Sequence, residues 1–389
     1  MSKANEALKI FYLEGLRVQL NQSNPFLSII DRDATSVVGA EIRMALRYGR
    51  QGGIGNRGDD AVLPTPNSRQ IKQARWGTKN IFARIHISDK TVKASKSNVG
   101  SFVSLLEAEL EDAKTDATDS LARQVFGDGR GVLTTTKANT NTTTLQVNNA
   151  MYLAEGRLID ISSSAGVIKA SAREILQVDE DGLSIVIDGA NVTTTDTDII
   201  TIAGNYGEEL TGLEAVFTPN TTLYGINRNE NKWFNPTIKA LSSGTATNPT
   251  NIISEILIQS MIDECDRTVG GKVDFLQTSY GVRRAYQNIM LASKRIVEPM
   301  ELEGGYKVLT YNGMPMAVDK YNPKGVMYGI DKGTWKLYHI EDWTWLDEDG
   351  DVLHRVNDRP VWEATLVRYC DIGCSKPKGN FKISNIAEM

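Results

Sequence analysis

The sequence predicts an α+β chain, and three observations carry that reading. Two segments alternate apolar and polar residues strictly, the signature of strands. Residues 98–126 place apolar side chains at steps of three and four, the signature of a long helix. A stretch of short apolar runs separated by Asp-Gly turns then points to a small all-β unit.

In chain order, residues 2–22 read as an amphipathic helix, with Leu8, Tyr12, Leu16 and Leu20 on one face and Pro25 ending the pattern. The run SVVGAEIRMALRYG puts Ala40, Ile42, Met44, Leu46 and Tyr48 on one side and Glu41, Arg43 and Arg47 on the other. NIFARIHIS does the same, with Ile81, Ala83, Ile85 and Ile87 against Phe82, Arg84, His86 and Ser88. Gly, Pro and polar residues fill the space between, so residues 37–88 predict one long hairpin with a loose tip. A two-stranded ribbon is marginal alone in water. Its apolar stripe therefore needs cover, from the rest of the chain or from a neighbouring copy. Its other face is basic, through Arg43, Arg47, Arg50, Arg57, Arg69, Lys72, Arg75, Lys79 and Arg84.

The helix at 98–126 follows a cap at Ser97-Asn98 and buries Val99, Phe102, Val103, Leu106, Leu110, Ala113, Ala117, Leu121 and Val125. At 1.5 Å per residue it is on the order of 40 Å long, the length of a strut. TTTKANTNTTT at 134–144 reads as a polar linker. The β stretch beyond it runs to about residue 203, with Asp181-Gly182 and Asp188-Gly189 as hairpin turns. It predicts an acidic inserted barrel or sandwich. Residues 249–292 switch to α/β. A helix opens at Pro249-Thr250 with Ile252, Ile256, Leu257 and Met261 on its face. A short strand Val273–Leu276 and a second helix capped by Ser279 follow. The remainder is β-rich.

Composition excludes several functions. The 389 residues suffice for two or three packed units, and 41% hydrophobic content supports a sizeable core. No apolar run approaches the roughly 18–20 residues of a bilayer span, and the amino terminus lacks a signal-peptide layout. No membrane partner is expected, and the chain is expected to stay soluble where it is made. A net charge of −5 does not suit a dedicated nucleic-acid binder. Three cysteines, Cys265, Cys370 and Cys374, form no disulfide framework, and the three histidines are scattered.

The motifs tested for chemistry fail on context. Gly53-Ile54-Gly55-Asn56-Arg57-Gly58 matches GxGxxG, but Pro64 and Pro66 follow where a helix would have to begin. Arg57-Gly58-Asp59 is three common residues in a loop. Asp347-Glu348-Asp349-Gly350-Asp351 places Gly at the fourth position and Asp358 at the twelfth, unlike a calcium loop. Cys370 and Cys374 lack a second ligand pair for zinc and read as small buried hydrophobes. Neither a GxSxG elbow nor a phosphate-binding GxxxxGK[ST] loop is present. No catalytic, metal-binding or cofactor-binding residue is singled out, and no cofactor is expected.

The order of parts resembles the major capsid proteins of tailed phages with the Hong Kong-97 fold. The resemblance rests on a helical arm, a basic hairpin, a strut helix ending in FGDG, a β insertion, VDFLQTSYGVRRAYQNIML, and YKVLTYNGMPMAVDKYNPKG with GVMYGIDKGTWKLYH. YGEELTGLEAVF before LYGINRNENKWFNP is similar to phrases in members with an inserted barrel. The resemblance implies an N-terminal arm at 1–30, an extended loop at 31–96, and a spine helix with peripheral domain at 97–140. It further implies an inserted barrel at 141–205, an axial domain at 206–325, returning peripheral strands at 326–370, and a C-terminal strand and tail at 371–389. It implies a non-enzymatic subunit that forms pentamers and hexamers of an icosahedral shell. That shell is assembled in the bacterial host cytoplasm around double-stranded DNA, which it contacts weakly and without specificity. A scaffolding protein and a portal are the implied partners; because only a short arm precedes the hairpin, the scaffold is expected to be a separate protein, or to be absent. Contact between copies is assigned to Ile42, Arg43, Met44, Leu46, Arg47, Ile81, Arg84, Ile85 and Ile87, the apolar ones covered by the neighbour and the arginines facing its acidic surface. Rival readings are an encapsulin-like compartment shell, a carbohydrate-binding surface module built on the acidic barrel, and a hydrolase without a recognised signature.

Overall fold

The computed structural model describes residues 24–65, 68–89, 99–242, 251–292, 300–301, 307–347, 351–356 and 359–388. The expected helix at 2–22, the Ser97-Asn98 cap and the helix opening at Pro249-Thr250 lie outside these residues. The chain divides into two compact units, Met1–Arg123 with Val216–Met389, and Gln124–Ala215.

Among the described residues the first unit opens with helix α1 (Pro25–Ile29), capped by Asn24, whose side chain accepts a hydrogen bond from the Phe26 amide. Strand β1 (Asp31–Asp33) and the short β2 (Val37–Val38) lead to β3 (Glu41–Tyr48), β4 (Gln70–Gly77) and β5 (Lys79–Ser88). Here the structure corrects the expected single hairpin. β3 pairs antiparallel with β4, from Glu41 opposite Gly77 to Tyr48 opposite Gln70. β5 leaves the hairpin and pairs along its whole length with a strand near the carboxyl end, Lys79 opposite Cys370 and Ser88 opposite Val361. The polar look of QIKQARWG hid β4. Its buried-side positions are only Lys72, Ala74 and Trp76, so alternation is present with little apolar content.

Helix α2 (Val99–Val125) matches the expected strut, and Arg123 stands in its last turn. Ala117, Leu121 and Val125 are buried along one side, at the expected four-residue spacing.

The second unit holds β6 (Val132–Thr135), β7 (Asn139–Thr142), β8 (Thr144–Gln146), β9 (Leu158–Ser162), β10 (Ile168–Asp179), β11 (Ser184–Ile187), β12 (Val192–Thr194) and β13 (Ile199–Ile202). Six of these form a sheet in the order β6-β13-β9-β10-β11-β8, while β7 and β12 make a separate antiparallel pair. The two ends of the six-strand path also meet. Thr136 and Val147 form a bridge, the Asn148 amide donates to the Thr135 carbonyl at 2.9 Å, and the Lys137 amide donates to the Gln146 carbonyl at 2.8 Å. Leu133, Leu145, Ile159, Ile161, Ile175, Ile185, Ile187 and Ile200 share its core. The linker expected at 134–144 is therefore strand. Threonine favours the extended backbone, but the run has no apolar alternation by which to recognise it. Buried Asn139 fixes the segment, accepting from the Gln146 amide at 2.9 Å and donating to Thr194 Oγ1 at 2.8 Å. The unit consequently reaches beyond 141–205 at both ends.

Helix α3 (Leu213–Phe217) returns the chain to the first unit, where β14 (Thr222–Leu223), β15 (Ile226–Asn227) and β16 (Thr237–Ala240) follow. Helix α4 (Glu255–Val269) is capped by Ser254 and closed by Gly270 in the left-handed conformation, φ +63°. Its buried face is Ile258, Met261 and Cys265. Ile252 and Ile256, expected inside, are 46% and 83% exposed: Ile252 precedes the helix, and Ile256 falls on the side of it opposite Ile258, Met261 and Cys265. Strand β17 (Phe275–Thr278) and helix α5 (Tyr280–Ala292) come next, with the Ser279 hydroxyl accepting from the Val282 amide at 3.5 Å. After them come β18 (Met300–Glu301), β19 (Lys307–Tyr311), β20 (Met314–Val318), β21 (Met327–Ile330), β22 (Trp335–Trp345), β23 (His354–Arg355), β24 (Val361–Cys374) and β25 (Phe381–Ser384).

These strands make two sheets. One has the order β16-β25-β21-β17-β20-β19-β18. Its Leu276, Met316, Met327, Phe381 and Ile383 pack with Ile258 and Met261 of α4 and with Val282, Tyr286 and Met290 of α5. The other joins β1, β22, β24 and β23, with β5 on the far side of β24. Sheet membership does not follow the expected boundaries at 325 and 371, since β21 and β25 complete the sheet begun by β17 and β20.

Candidate functional site

The candidate surface is the β3–β4 hairpin and its surroundings. Strict alternation in β3 sends Ile42, Met44 and Leu46 to one face, where they are 0%, 7% and 3% exposed. Opposite them on β4 stand Trp76, Ala74 and Lys72. The cover comes from the same chain. The Tyr338 hydroxyl of β22 donates to Met44 Sδ at 3.6 Å, and Trp76 sits against Tyr224 at 4.1 Å and edge-on to Tyr338 at 5.6 Å between ring centres. Ile81 and Ile85 are likewise buried, but in the β5–β24 ladder and away from the hairpin. The structure thus brings Ile42, Met44 and Leu46 together, separates them from Ile81 and Ile85, and removes the reason for a neighbour to cover any of the five. The Ile87 side chain lies outside the described set, and its backbone pairs with Trp362.

The outer face of the hairpin is the part left to solvent. Arg43 and Arg47 are exposed, as is Arg75, and Arg43 stands directly across from Arg75. Like charges opposite each other on a sheet repel. Arg43 offsets part of this through its own strand, with Nη2 3.1 Å from Glu41 Oε2. Arg84 is also exposed and pairs with Glu363 of β24. Beyond the stem, the tip at residues 49–65 carries Ile54, Val62 and Leu63, 82%, 87% and 80% exposed. These large apolar groups stand without cover in a glycine-rich tip. Sequence patterning missed them because Ile54 and the pair Val62-Leu63, set among Gly, Asp and Pro, show no period.

An acidic counterpart exists on α2, where Glu111, Asp112 and Asp116 are exposed. Lys114 lies 3.6 Å from Glu111 and offsets one of the three charges.

Chemistry is poorly supplied. Burial pushes the thiols of Cys370 and Cys374 up to about 12 and that of Cys265 to about 11, so all three stay protonated and unreactive near neutral pH. Among the described residues no group of three or more His, Cys, Asp or Glu is placed to hold a metal ion, and no helix is long and apolar enough to cross a membrane. GxGxxG lies in the hairpin tip with no helix after it.

No family model matches the chain, and no curated protein matches it by sequence. Solved structures do match. A chain of the cyanophage A-1(L) capsid asymmetric unit aligns over 93% of this chain and 93% of its own length, at 13% identity and a TM-score of 0.57. A chain of the capsid of an empty GTA particle aligns over 94% and 90%, at 10% identity and a TM-score of 0.50. The holo-SrpI encapsulin complex from Synechococcus elongatus aligns over 92% and 85%, at 9% identity and a TM-score of 0.43. The chain shares its mixed α/β fold with phage capsid chains.

Proposed function

We propose that this chain is the major capsid protein of a tailed bacteriophage, a structural subunit without enzymatic activity. The carrying observation is the fold match that spans nearly the whole of both chains with the cyanophage capsid subunit. A partial match could reflect a shared module, whereas coverage of 93% on both sides supports a likeness of the whole chain.

In this reading copies form rings of five and six that close into an icosahedral shell. Heterologous contacts close by symmetry, and each subunit makes many of them, so modest interfaces sum to a stable particle. The hairpin reaches a neighbouring copy. Its exposed Arg43, Arg47 and Arg75 meet the acidic face of α2 at Glu111, Asp112 and Asp116, and Ile54, Val62 and Leu63 of the tip find apolar cover there. Ile42, Met44, Leu46, Ile81 and Ile85 serve the contact indirectly, by holding their strands to the subunit. The Gln124–Ala215 unit is an inserted small β-barrel, a reading supported by the joined ends of its six-strand path. Scaffolding protein and portal are partners during assembly in the host cytoplasm. Packaged double-stranded DNA touches the shell weakly, consistent with a net charge of −5. The location is the virion.

The test removes residues 50–65, leaves β3 and β4 in place with a short turn, and images the purified protein by electron microscopy. The full chain is expected to form closed particles and the deletion variant only free subunits or rings. Normal particles from the variant would refute the role of the tip, and the absence of particles from the full chain would refute the function.

A further inference from the structure

The hairpin stem is held along its length by one loop of its own chain, residues 224–234. At the end near the tip, Tyr48 stacks on Trp233 with ring centres 4.7 Å apart and planes 2° from parallel. Midway, Lys72 Nζ donates to Asn231 Oδ1 at 3.0 Å. Nearer the base the Arg75 amide donates to the Tyr224 carbonyl at 3.0 Å, and Trp76 packs against the Tyr224 ring. These contacts run from Tyr48 to Trp76, opposite ends of a stem of roughly 25 Å.

The loop is itself braced. Buried Arg228 donates to the carbonyls of Val216, Thr218 and Thr221, the Asn231 side chain donates to the Asn227 carbonyl at 2.7 Å, and Lys232 Nζ donates to Asn220 Oδ1 at 2.7 Å. At its start, the Tyr224 hydroxyl donates to the Ile372 carbonyl at 3.0 Å and accepts from the Cys374 amide at 3.3 Å. The loop thus connects the stem to β24. Gly225 has φ +74°, and a Cβ there would stand 3.1 Å from the Arg75 carbonyl, so the loop backbone lies directly against β4.

We propose that loop 224–234 is a bracket that sets the direction in which the hairpin leaves the subunit, with Trp233 as its outermost positioning residue. The inference rests on the capsid reading for its consequence, because the hairpin's direction decides where a neighbour is met and so the angle between copies. The tip beyond Tyr48 adapts to the neighbour, and the stem does not swing. Trp233 touches no partner in this account and acts only through Tyr48.

The experiment compares the full-length chain with Trp233→Ala, Trp233→Phe and Tyr48→Ala. Two readouts are taken: amide hydrogen exchange in the unassembled subunit, and particle size and yield by electron microscopy. Losing one stacked pair should speed exchange at residues 46–48 and 70–72 by roughly three- to tenfold in both Ala variants and leave residues 74–77 unchanged. Particles from both should be aberrant or reduced at least several-fold in yield, and Trp233→Phe, which keeps a stacking face, should restore both readouts. Unchanged exchange in the Ala variants overturns the bracket. Faster exchange with particles of normal size and yield overturns its control of direction. A wild-type chain that forms no particles sinks the capsid reading, while the exchange data still decide whether the bracket exists.

Discussion

Replacing Ile42 by alanine separates cover by the chain itself from cover by a neighbour. Ile42 is fully buried in the single subunit, at the β2 end of β3, with Trp76 across the ladder and Val37 of β2 on its other side. Isoleucine-to-alanine changes at such sites cost about 2–5 kcal/mol, from lost transfer free energy plus the cavity that remains. Ile42 stands in an ordered three-strand sheet with aromatic neighbours that close in poorly, so about 3 kcal/mol is expected. All six tryptophans, Trp76, Trp233, Trp335, Trp343, Trp345 and Trp362, belong to the unit that contains the hairpin, so their fluorescence reports that unit alone.

The assay is urea unfolding of the unassembled subunit at low concentration, followed by tryptophan emission. With a slope near 3 kcal/mol per molar urea, the midpoint should fall by about 1 M. Arg47→Ala, one strand position from Leu46 but exposed, should move it by less than a fifth of that, as surface changes stay within about 0.5 kcal/mol. An Ile42→Ala midpoint equal to wild type, combined with failure to assemble, would refute the reasoning and return the stripe to the neighbouring copy.

Two other perturbations probe the same unit. Gly373 on β24 has no room for a side chain, since a Cβ would lie 2.5 Å from Tyr338 Cε2 and 2.9 Å from Trp76 Cζ2. Gly373→Ala should destabilise by about 1–3 kcal/mol and loosen the hairpin base, seen as a lower urea midpoint by the same emission assay. Asp319 is buried, and burial pushes its carboxyl up to about 6, against the Tyr321 amide and the Lys320 charge, which favour the ionised form. The unfolded carboxyl titrates near pH 3.9, so between about pH 4 and 6 the unfolded state ionises first and the folded state loses stability as pH rises. The loss is at most about 3 kcal/mol and stops above pH 6. Asp319→Asn should abolish that slope in denaturation curves taken from pH 4 to 7, and an unchanged slope would assign it to another group. Asp33, held well below the usual carboxylate range by Lys336, Thr35 and Ser36 despite its own burial, acts below pH 4 with the opposite sign.

What the sequence revealed depended on whether apolar residues marked the period. β3 and β5 were readable because Ile42, Met44, Leu46 and Ile81, Ala83, Ile85 stand at every second position, and α2 because Ala117, Leu121 and Val125 keep helical spacing. β4 was hidden, its inner positions being Lys72, Ala74 and Trp76. The pairing of β5 with β24 was equally hidden, because period two states that a strand exists and gives no partner some 280 positions away. The bracket around Trp233 lies in LYGINRNENKWFNP, whose polar residues show no period. Its order comes from amide and guanidinium hydrogen bonds of Asn227, Arg228 and Asn231, which leave no periodic trace. The one available clue was a tryptophan among asparagines, an expensive side chain to place where nothing covers it.

In the proposed shell, cover of the stripe by its own chain changes what would hold copies together. If the apolar side of the hairpin is already inside the subunit, the surface left for a neighbour in the proposed shell carries Arg43, Arg47 and Arg75 on the stem beside exposed Ile71, and Ile54, Val62 and Leu63 at the tip. Exposed ion pairs are worth about 0–1 kcal/mol each and weaken with salt, since the screening length falls from about 10 Å at 0.1 M to about 3 Å at 1 M. Repeated around a ring and across a shell, that small loss is multiplied by the number of contacts. Assembly from free subunits should therefore be steeply salt-sensitive between about 0.1 and 1 M, whereas the urea midpoint of the isolated subunit should barely move. Light scattering on a salt series reads the first and tryptophan emission the second. Assembly that strengthens as salt rises would mean that apolar burial at the tip outweighs the arginine face, and the charge-led account of the contact would fall.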